Sequence, residues 1–327
     1  MINQINKYAH LSNYFASEPV VELAKKLVEN SFAKKVFFAN SGTEANEGAL
    51  KLAVKWGKEI NINKTEIIST LNGFHGRTTG ALALTGQPGK QEPFSSILPA
   101  VKYINYNSIE NLKAAVNENT CAIFLEAIQG EGGIIELDIE FVKELHALRD
   151  KYNFLIIMDE IQAGLGRTAS ELFAYEAYGV NPDLVTLAKG IGGGLPLGAI
   201  LIPEKLENVF KPGDHGTTFG GNHLACSAAL AVLDVIEQEA LVDNAAQVGA
   251  YLMEELKKFP QIKEVRGRGL MIGLEFEEPI KELRSRLIYD EHVFTGASGT
   301  NVLRLLPPLC LSMEEAKEFL ARFKKVL

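Results

Sequence analysis

Seven short apolar runs limit what this chain can fold into: Val36–Phe38, Glu66–Thr70, Val101–Ile104, Cys121–Ile128, Phe154–Asp159, Asp183–Leu187 and Leu197–Ile202. Each is too short for a buried helix and ends at turn-forming or charged residues, so each reads as a strand. Helical stretches such as Ser108–Val116 and Glu140–Tyr152 separate them. Strands alternating with helices make an α/β chain with a mainly parallel seven-stranded sheet. After Asn222, Leu224, Ser227, Ala228, Ala231, Val235 and Ile236 repeat at helical spacing, and a long helix leads out of this region. Beyond it the pattern changes to a helix through Lys258, a break at Pro260, strands at Gly269–Phe276 and Asn301–Leu306, and a closing amphipathic helix, Ser312–Val326. The expected division is a large domain over 1–240 and a smaller α+β domain over 241–327. No internal repeat interrupts it.

Two of the runs end in reactive side chains. Phe154-Leu-Ile-Ile-Met-Asp159 places a carboxylate at the carboxyl end of a buried strand, where open α/β sheets bind ligands. Asp183-Leu-Val-Thr-Leu-Ala-Lys189 places a lysine where a strand breaks into Gly-Ile-Gly-Gly-Gly. A lysine amine condenses with an aldehyde, and a carboxylate facing a pyridine nitrogen keeps that ring protonated and electron-accepting. Together they suit pyridoxal phosphate (PLP). A third element is Asn40-Ser-Gly-Thr-Glu-Ala-Asn46, ahead of a helical run in which Ala45, Ala49, Leu52, Ala53 and Trp56 share one face. The helix starts near Thr43, and its first N–H groups form a phosphate cradle. The plainer reading is a helix cap without its capping-box acid at the right offset.

The strings Phe38-Ala-Asn-Ser-Gly-Thr-Glu-Ala-Asn46, Gly73-Phe-His-Gly-Arg-Thr78, Glu126-Ala-Ile-Gln-Gly-Glu-Gly-Gly133, Met158-Asp-Glu-Ile-Gln162, Leu187-Ala-Lys-Gly190, His215-Gly-Thr-Thr-Phe-Gly-Gly-Asn222 and Leu303-Arg-Leu-Leu-Pro-Pro308 occur in that order. From about Leu11 onward the chain resembles the class III, subgroup II PLP-dependent aminotransferases, and most of all their acetylornithine/succinylornithine branch. The resemblance implies the fold type I of PLP-dependent transferases. It implies transfer of the terminal amino group of an N-acylornithine to 2-oxoglutarate, as in arginine biosynthesis. Free ornithine or 4-aminobutyrate as donor, an aminomutase on the same fold, and an inactive scaffold are the alternatives.

The same resemblance implies residue roles. Lys189 binds the cofactor as a Schiff base and moves the proton, Asp159 pairs with the pyridine nitrogen, and Gln162 bonds the ring hydroxyl. Gly42 and Thr43 hold the phosphate, Phe74 stacks on the ring, and Thr218 completes the phosphate site from the second subunit of a homodimer, with Thr217 near substrate. Arg77 and Arg304 clamp substrate carboxylates bidentately. Glu126 and Glu131 line the substrate side, the second able to neutralise the clamp arginine. Each has a duller competitor: Phe74 as core, Arg304 on a solvent face, and His75 or His215 as a metal ligand without a partner at ligand spacing.

Composition excludes other classes. A net charge of −8 without basic clusters argues against nucleic acid. Cys121, Cys226 and Cys310 are odd in number and widely spaced, forming neither a disulfide framework nor a zinc pattern, so a cytoplasmic setting is expected. The stretch Met1-Ile-Asn-Gln-Ile-Asn-Lys7 has no apolar core of signal length, and no membrane-length apolar run occurs, so no membrane association is expected. Three departures from the family carry expectations. Ala127, where relatives often have proline, loosens its turn. The stretch Gly166–Phe173 lacks the usual glycine after Thr168 and runs one residue longer. The family pattern begins some sixty residues into its relatives, which implies an exposed edge along Gly269–Phe276 and weakened or absent transaminase activity.

Overall fold

The computed structural model describes residues 1–169 and 171–327. In chain order the strands are β1 Lys35–Ala39, β2 Glu66–Thr70, β3 Lys102–Ile104, β4 Thr120–Leu125, β5 Ile128–Gln129, β6 Ile135–Glu136, β7 Leu155–Asp159, β8 Leu184–Leu187, β9 Gly198–Ile202, β10 Glu264–Arg268, β11 Met271–Glu275, β12 Gly296–Ser298 and β13 Val302–Leu305. The helices are α1 Ile2–Lys7, α2 Glu18–Glu29, α3 Gly42–Ile60, α4 Thr79–Leu84, α5 Pro88–Gln91, α6 Ile109–Ala115, α7 Ile139–Tyr152, α8 His223–Gln238, α9 Leu241–Leu256, α10 Lys281–Tyr289 and α11 Met313–Val326. They form two compact units. The first comprises Met1–Ala127, Leu137–Gln162 and Tyr178–Asp234; the second comprises Ile128–Glu136, Ala163–Ala177 and Val235–Leu327.

The first unit is built on a seven-stranded sheet in the order β1-β9-β8-β7-β4-β2-β3. β3, β2, β4, β7 and β8 run parallel, and β9 is antiparallel to both β8 and β1. Only β9 therefore runs against the rest, and the carboxyl ends of β1, β2, β4, β7 and β8 lie along one edge. The interior strands are buried on both faces, which is why they read as unbroken apolar runs rather than alternating ones. Against them α3 lays Ala45, Ala49, Leu52 and Ala53, all fully buried, in one core with Phe124, Leu155, Ile157, Leu184 and Ile200, while Trp56 is half-buried. Burying a leucine this completely contributes about 2–3 kcal/mol. The alanines matter differently, because only small side chains bring the helix axis close to the sheet.

The second unit holds a four-stranded antiparallel sheet, β10-β11-β13-β12. Its core joins Leu252 and Leu256 of α9, Ile272 and Leu274 of β11, Leu303 and Leu305 of β13, and Leu320 and Phe323 of α11. Here one expectation is corrected. The run Gly269–Phe276 has no exposed edge: β11 pairs with β10 from Glu264↔Glu275 to Arg268↔Met271, and with β13 from Ile272↔Leu305 to Glu275↔Val302. The edges fall on β10 and β12. β10 escaped sequence reading because Glu264-Val-Arg-Gly-Arg268 carries three charges and a glycine, the composition that suits an edge strand. Its Arg266 pairs with Glu264 at 2.7 Å and with Glu275 at 2.6 Å.

The other two departures also resolve. Ala127 is fully buried, and its carbonyl accepts from Leu137 N (3.0 Å) and the Tyr106 hydroxyl (3.3 Å), so the turn is held without proline. In the stretch 166–173, Ser170 lies outside the described residues. Ala169, the residue after Thr168, has φ +57°, and Gly166 has φ +78°. A left-handed backbone is costly for a residue with a Cβ, which accounts for glycine being the usual occupant. Ala169→Gly is expected to stabilise the protein by about 1 kcal/mol. The check is the urea midpoint at unchanged slope; an unchanged or lower midpoint would count against strain at this position.

Candidate active site

Five strand ends meet along the carboxyl edge of the large sheet, and each delivers a polar group. β7 ends at Asp159, which is 4% exposed. A buried carboxylate costs several kcal/mol unless donors surround it. Asp159 has three. Its Oδ2 accepts from Asn46 Nδ2 (2.8 Å) and pairs with His75 Nδ1 (2.7 Å), and its Oδ1 accepts from Ile161 N (3.0 Å). Asn46, fully buried on α3, also donates to His75 O (2.7 Å) and accepts from the Thr186 hydroxyl of β8 (2.8 Å). These bonds fix the amide orientation of Asn46, since only its NH2 group can donate twice.

His75 lies inside this network with Phe124 edge-on at 6.0 Å. Burial works against a charge on the ring, yet the hydrogen bond and charge of Asp159, with Glu126 adding, outweigh it and raise the His75 pKa. Its Nε2 is buried with no hydrogen-bond partner among the described residues. Neither His75 nor Asn46 nor Thr186 was assigned a role from sequence. The available signal was a polar residue inside an apolar pattern: Asn46 beside Ala45 on the buried face of α3, and Thr186 within Leu184-Val-Thr-Leu187.

β8 ends at Leu187, and Lys189 follows in a 3₁₀ turn, Lys189–Gly192. Lys189 is exposed and has φ +49°. Holding a non-glycine residue there costs about 1–2 kcal/mol, and such strain gathers at functional positions. Beyond β7, Gln162 is half-buried on the same strand-end loop as Asp159.

β1 ends before Ser41, the N-cap of α3, whose side chain accepts from Glu44 N (3.3 Å). The capping acid is at its proper offset after all: Glu44 is the third helical residue, and its Oε2 takes Asn40 N (2.6 Å) and Asn40 Nδ2 (2.9 Å). The expected offset is thereby corrected: Ser41-Gly-Thr-Glu44 carries the acid three residues after the N-cap, with its reciprocal bond falling on Asn40, one residue ahead of that cap. Gly42 and Thr43 occupy the first turn, where backbone N–H groups have no intrahelical acceptor. A Cβ on Gly42 would stand 2.7 Å from Ile161 Cδ1, so glycine is needed for the approach of the β7 loop. Thr43 Oγ1 accepts from Arg77 N (3.2 Å) and Thr78 N (3.3 Å), tying the loop after β2 to this helix start.

That loop carries Phe74, half-buried, with its N–H donated to Glu126 Oε2 (3.1 Å) at the end of β4. The exposed Arg77 guanidinium stands 5.5 Å from the Phe74 ring centroid and Lys90 Nζ 5.8 Å, both cations drawn to the ring face. Thr217 Oγ1 accepts from Asn40 Nδ2 (2.9 Å), while Thr218 is exposed. The first unit thus contains ten of the twelve expected site residues. The other two, Glu131 and Arg304, belong to the second unit. There Arg304 Nη1 pairs with Glu131 Oε1 at 2.8 Å and donates to Gly130 O at 2.9 Å. No group of His, Cys, Asp and Glu able to hold a metal occurs among the described residues.

This arrangement fits a phosphorylated pyridine aldehyde. Asp159 Oδ1 accepts a single N–H, leaving a lone pair for a ring N–H; the α3 start offers free donors for an anion; and an exposed lysine follows the neighbouring strand. Asn46→Leu would leave buried Asp159 one donor short and orphan the Thr186 hydroxyl. It is expected to cost about 3 kcal/mol, read as a lower denaturant midpoint. A loss below about 1 kcal/mol would show that the network is not what satisfies Asp159.

Comparison with known proteins agrees. The chain is 45% identical to the acetylornithine aminotransferase of Caldanaerobacter subterraneus over 337 aligned positions, covering all of this chain and 85% of that one. It is 42% identical to the succinylornithine transaminase of Photorhabdus laumondii, covering 100% of this chain and 83% of the relative. Among solved structures, the ornithine aminotransferase of Toxoplasma gondii superimposes with a TM-score of 0.93 at 32% identity, over 99% of this chain and 80% of that one. The pattern of the aminotransferase class-III family matches residues 1–327, and with the strand-end carboxylate and lysine in place the chain belongs to that family of PLP-dependent transaminases.

Proposed function

We propose that this transaminase moves the terminal amino group of N-acetylornithine or N-succinylornithine to 2-oxoglutarate, in arginine biosynthesis, as a cytoplasmic homodimer. The observation that carries the reading is the buried Asp159, satisfied by Asn46 and His75, on the same sheet edge as the exposed, left-handed Lys189. The names of the similar proteins support the donor: acetylornithine for one and succinylornithine for the other. Bound at this edge, PLP supplies an aldehyde that takes up an amine and a ring that accepts electrons.

The chain's own residues do the rest. Asp159 holds the proton at the ring nitrogen, Gln162 bonds the ring hydroxyl, and Gly42 and Thr43 bind the phosphate through their N–H groups. Phe74 covers the ring face. Lys189 anchors the cofactor and, once released, takes and returns the proton at the substrate carbon. Arg77 and Arg304 bind substrate carboxylates, and Glu126 and Glu131 line the substrate side. The Arg304–Glu131 ion pair supports a clamp neutralised while substrate is absent, since a carboxylate of the substrate competes for the same guanidinium. Donor and acceptor use one site in turn, which makes the kinetics ping-pong. Thr217 sits near substrate and Thr218 completes the phosphate site of a second copy. Exposed Tyr14, Phe15 and Phe219 in the first unit are the kind of apolar surface a second copy covers. Residues 1–240 serve as the cofactor domain and 241–327 as the smaller one.

Two measurements test the reading. Protein loaded with PLP, reduced with borohydride and digested is expected to carry the adduct on Lys189, and to release glutamate from 2-oxoglutarate when given N-acetylornithine. An adduct on another lysine, or turnover only with 4-aminobutyrate, would overturn it. Arg304→Lys keeps the charge and loses the fork, so KM for 2-oxoglutarate is expected to rise about tenfold or more with PLP occupancy unchanged. Unaltered 2-oxoglutarate kinetics would place the clamp elsewhere.

A further inference from the structure

The loop that carries Thr217 and Thr218 is fastened to the first unit through a histidine. His215 stacks on Phe37 of β1 at a centroid distance of 5.0 Å and lies 5.5 Å from the Phe210 ring. Gly48 of α3 lets it sit so deep, because a Cβ there would meet His215 Nε2 at 3.1 Å and Ile200 Cδ1 at 2.5 Å. On its other side Lys51 Nζ lies 2.9 Å from His215 Nδ1 and 3.1 Å from the Asp214 carbonyl. Lys55 pairs with the Asp214 carboxylate, which also accepts from Lys211 N (2.6 Å). Lysine ammonium only donates, so Nδ1 must be the acceptor and the imidazole must be neutral.

We propose that neutral His215, as acceptor for Lys51, is a positioning residue that holds the loop Lys211–Thr218 in register against α3 and so sets where Thr217 and Thr218 are presented. This deepens the function proposed above and rests on it only for what Thr218 binds. The device is sensitive to pH in one direction. Burial, with Lys51 adding, lowers the His215 pKa from its ordinary 6.5, against the opposite pull of Glu47 and Glu44 on α3. Lys55, Lys211 and Asp214 complete the charged surroundings, and Asp214 is engaged by Lys55. A depressed histidine pKa means that the contribution is complete above the ordinary value and is lost as pH falls through the lowered one, when an imidazolium would face the Lys51 ammonium.

The test uses the full chain in two arms. In the first, without cofactor, amide hydrogen exchange is followed at Asp214, whose N–H bonds Lys211 O (3.1 Å), from pH 8 downward through the acid range. His215→Leu is expected to speed exchange at pH 8 by about tenfold over wild type, whereas His215→Asn, whose side-chain oxygen replaces Nδ1, stays within about twofold. As pH falls below 6.5, wild type loses protection relative to His215→Asn, which does not titrate. In the second arm, PLP uptake is followed by visible absorbance, and His215→Leu is expected to need about tenfold more PLP for half-saturation, with His215→Asn restoring it. Equal exchange in wild type and His215→Leu overturns the pin, and failure of His215→Asn to rescue overturns the acceptor role. A loosened loop with unchanged PLP affinity overturns the presentation of Thr217 and Thr218. If wild type takes up no PLP, the function proposed above fails while the exchange arm still decides the pin. If His215→Leu does not fold, Lys51→Met takes its place, with the same loss expected and no pH dependence.

Discussion

A carboxylate with almost no access to water is the constraint around which the first unit is arranged. Donors reach Asp159 in that position from three separate segments: Asn46 from α3, His75 from the loop after β2, and the Ile161 N–H from its own strand end. Removing such a donor exposes the full desolvation cost of the group it served, which exceeds the gain from making an ordinary hydrogen bond. The network therefore ties the first turns of α3, the loop bearing Phe74 and Arg77, and the end of β7 to one atom pair. Displacing any one of them would leave a charge buried and underserved.

Small residues make this convergence possible. Ala45, Ala49 and Ala53 bring α3 against the sheet, Gly42 lets the β7 loop approach its first turn, and Gly48 opens room for Ile200 and His215. A Cβ on Gly198 of β9 would collide with the Ser41 carbonyl, so the cap of α3 depends on a glycine from a distant strand. Packing density and site geometry are thus the same property here. The close approach that fills the core also aims the N–H groups of Gly42 and Thr43 toward the carboxyl edge of the sheet.

The second unit follows a different logic. Its sheet is antiparallel, and its charged residues pair locally: Arg266 with Glu264 and Glu275, Arg304 with Glu131. Arg304 sits among Val302, Leu303 and Leu305 on an inner strand and is largely buried, so its charge is met by the Glu131 carboxylate and the Gly130 carbonyl. A guanidinium held in this way can exchange one carboxylate for another without leaving its place, because the fork geometry suits both.

Much of the architecture was legible without coordinates. Seven apolar runs gave seven strands of one sheet within a residue or two, except that Cys121–Ile128 divides into β4 and β5, because the hydrophobic period of a buried strand is a local property. The motif residues were also legible, since strand ends followed by Asp, Lys or Ser-Gly carry their chemistry in their types. What the sequence could not determine were relations set by distance in space. Nothing local to Asn46 or Thr186 announces that they meet Asp159, and nothing local to β10 announces that it covers the edge of β11. At Ser41 the helix cap is legible in the sequence, but the partner of its acid, Asn40 N, was set by the turn taken there. Sequence alone determined the elements and the reactive groups, through periodicity and residue chemistry. Tertiary structure alone decided which donor serves which buried charge, because satisfying a desolvated carboxylate requires groups brought together by the whole fold.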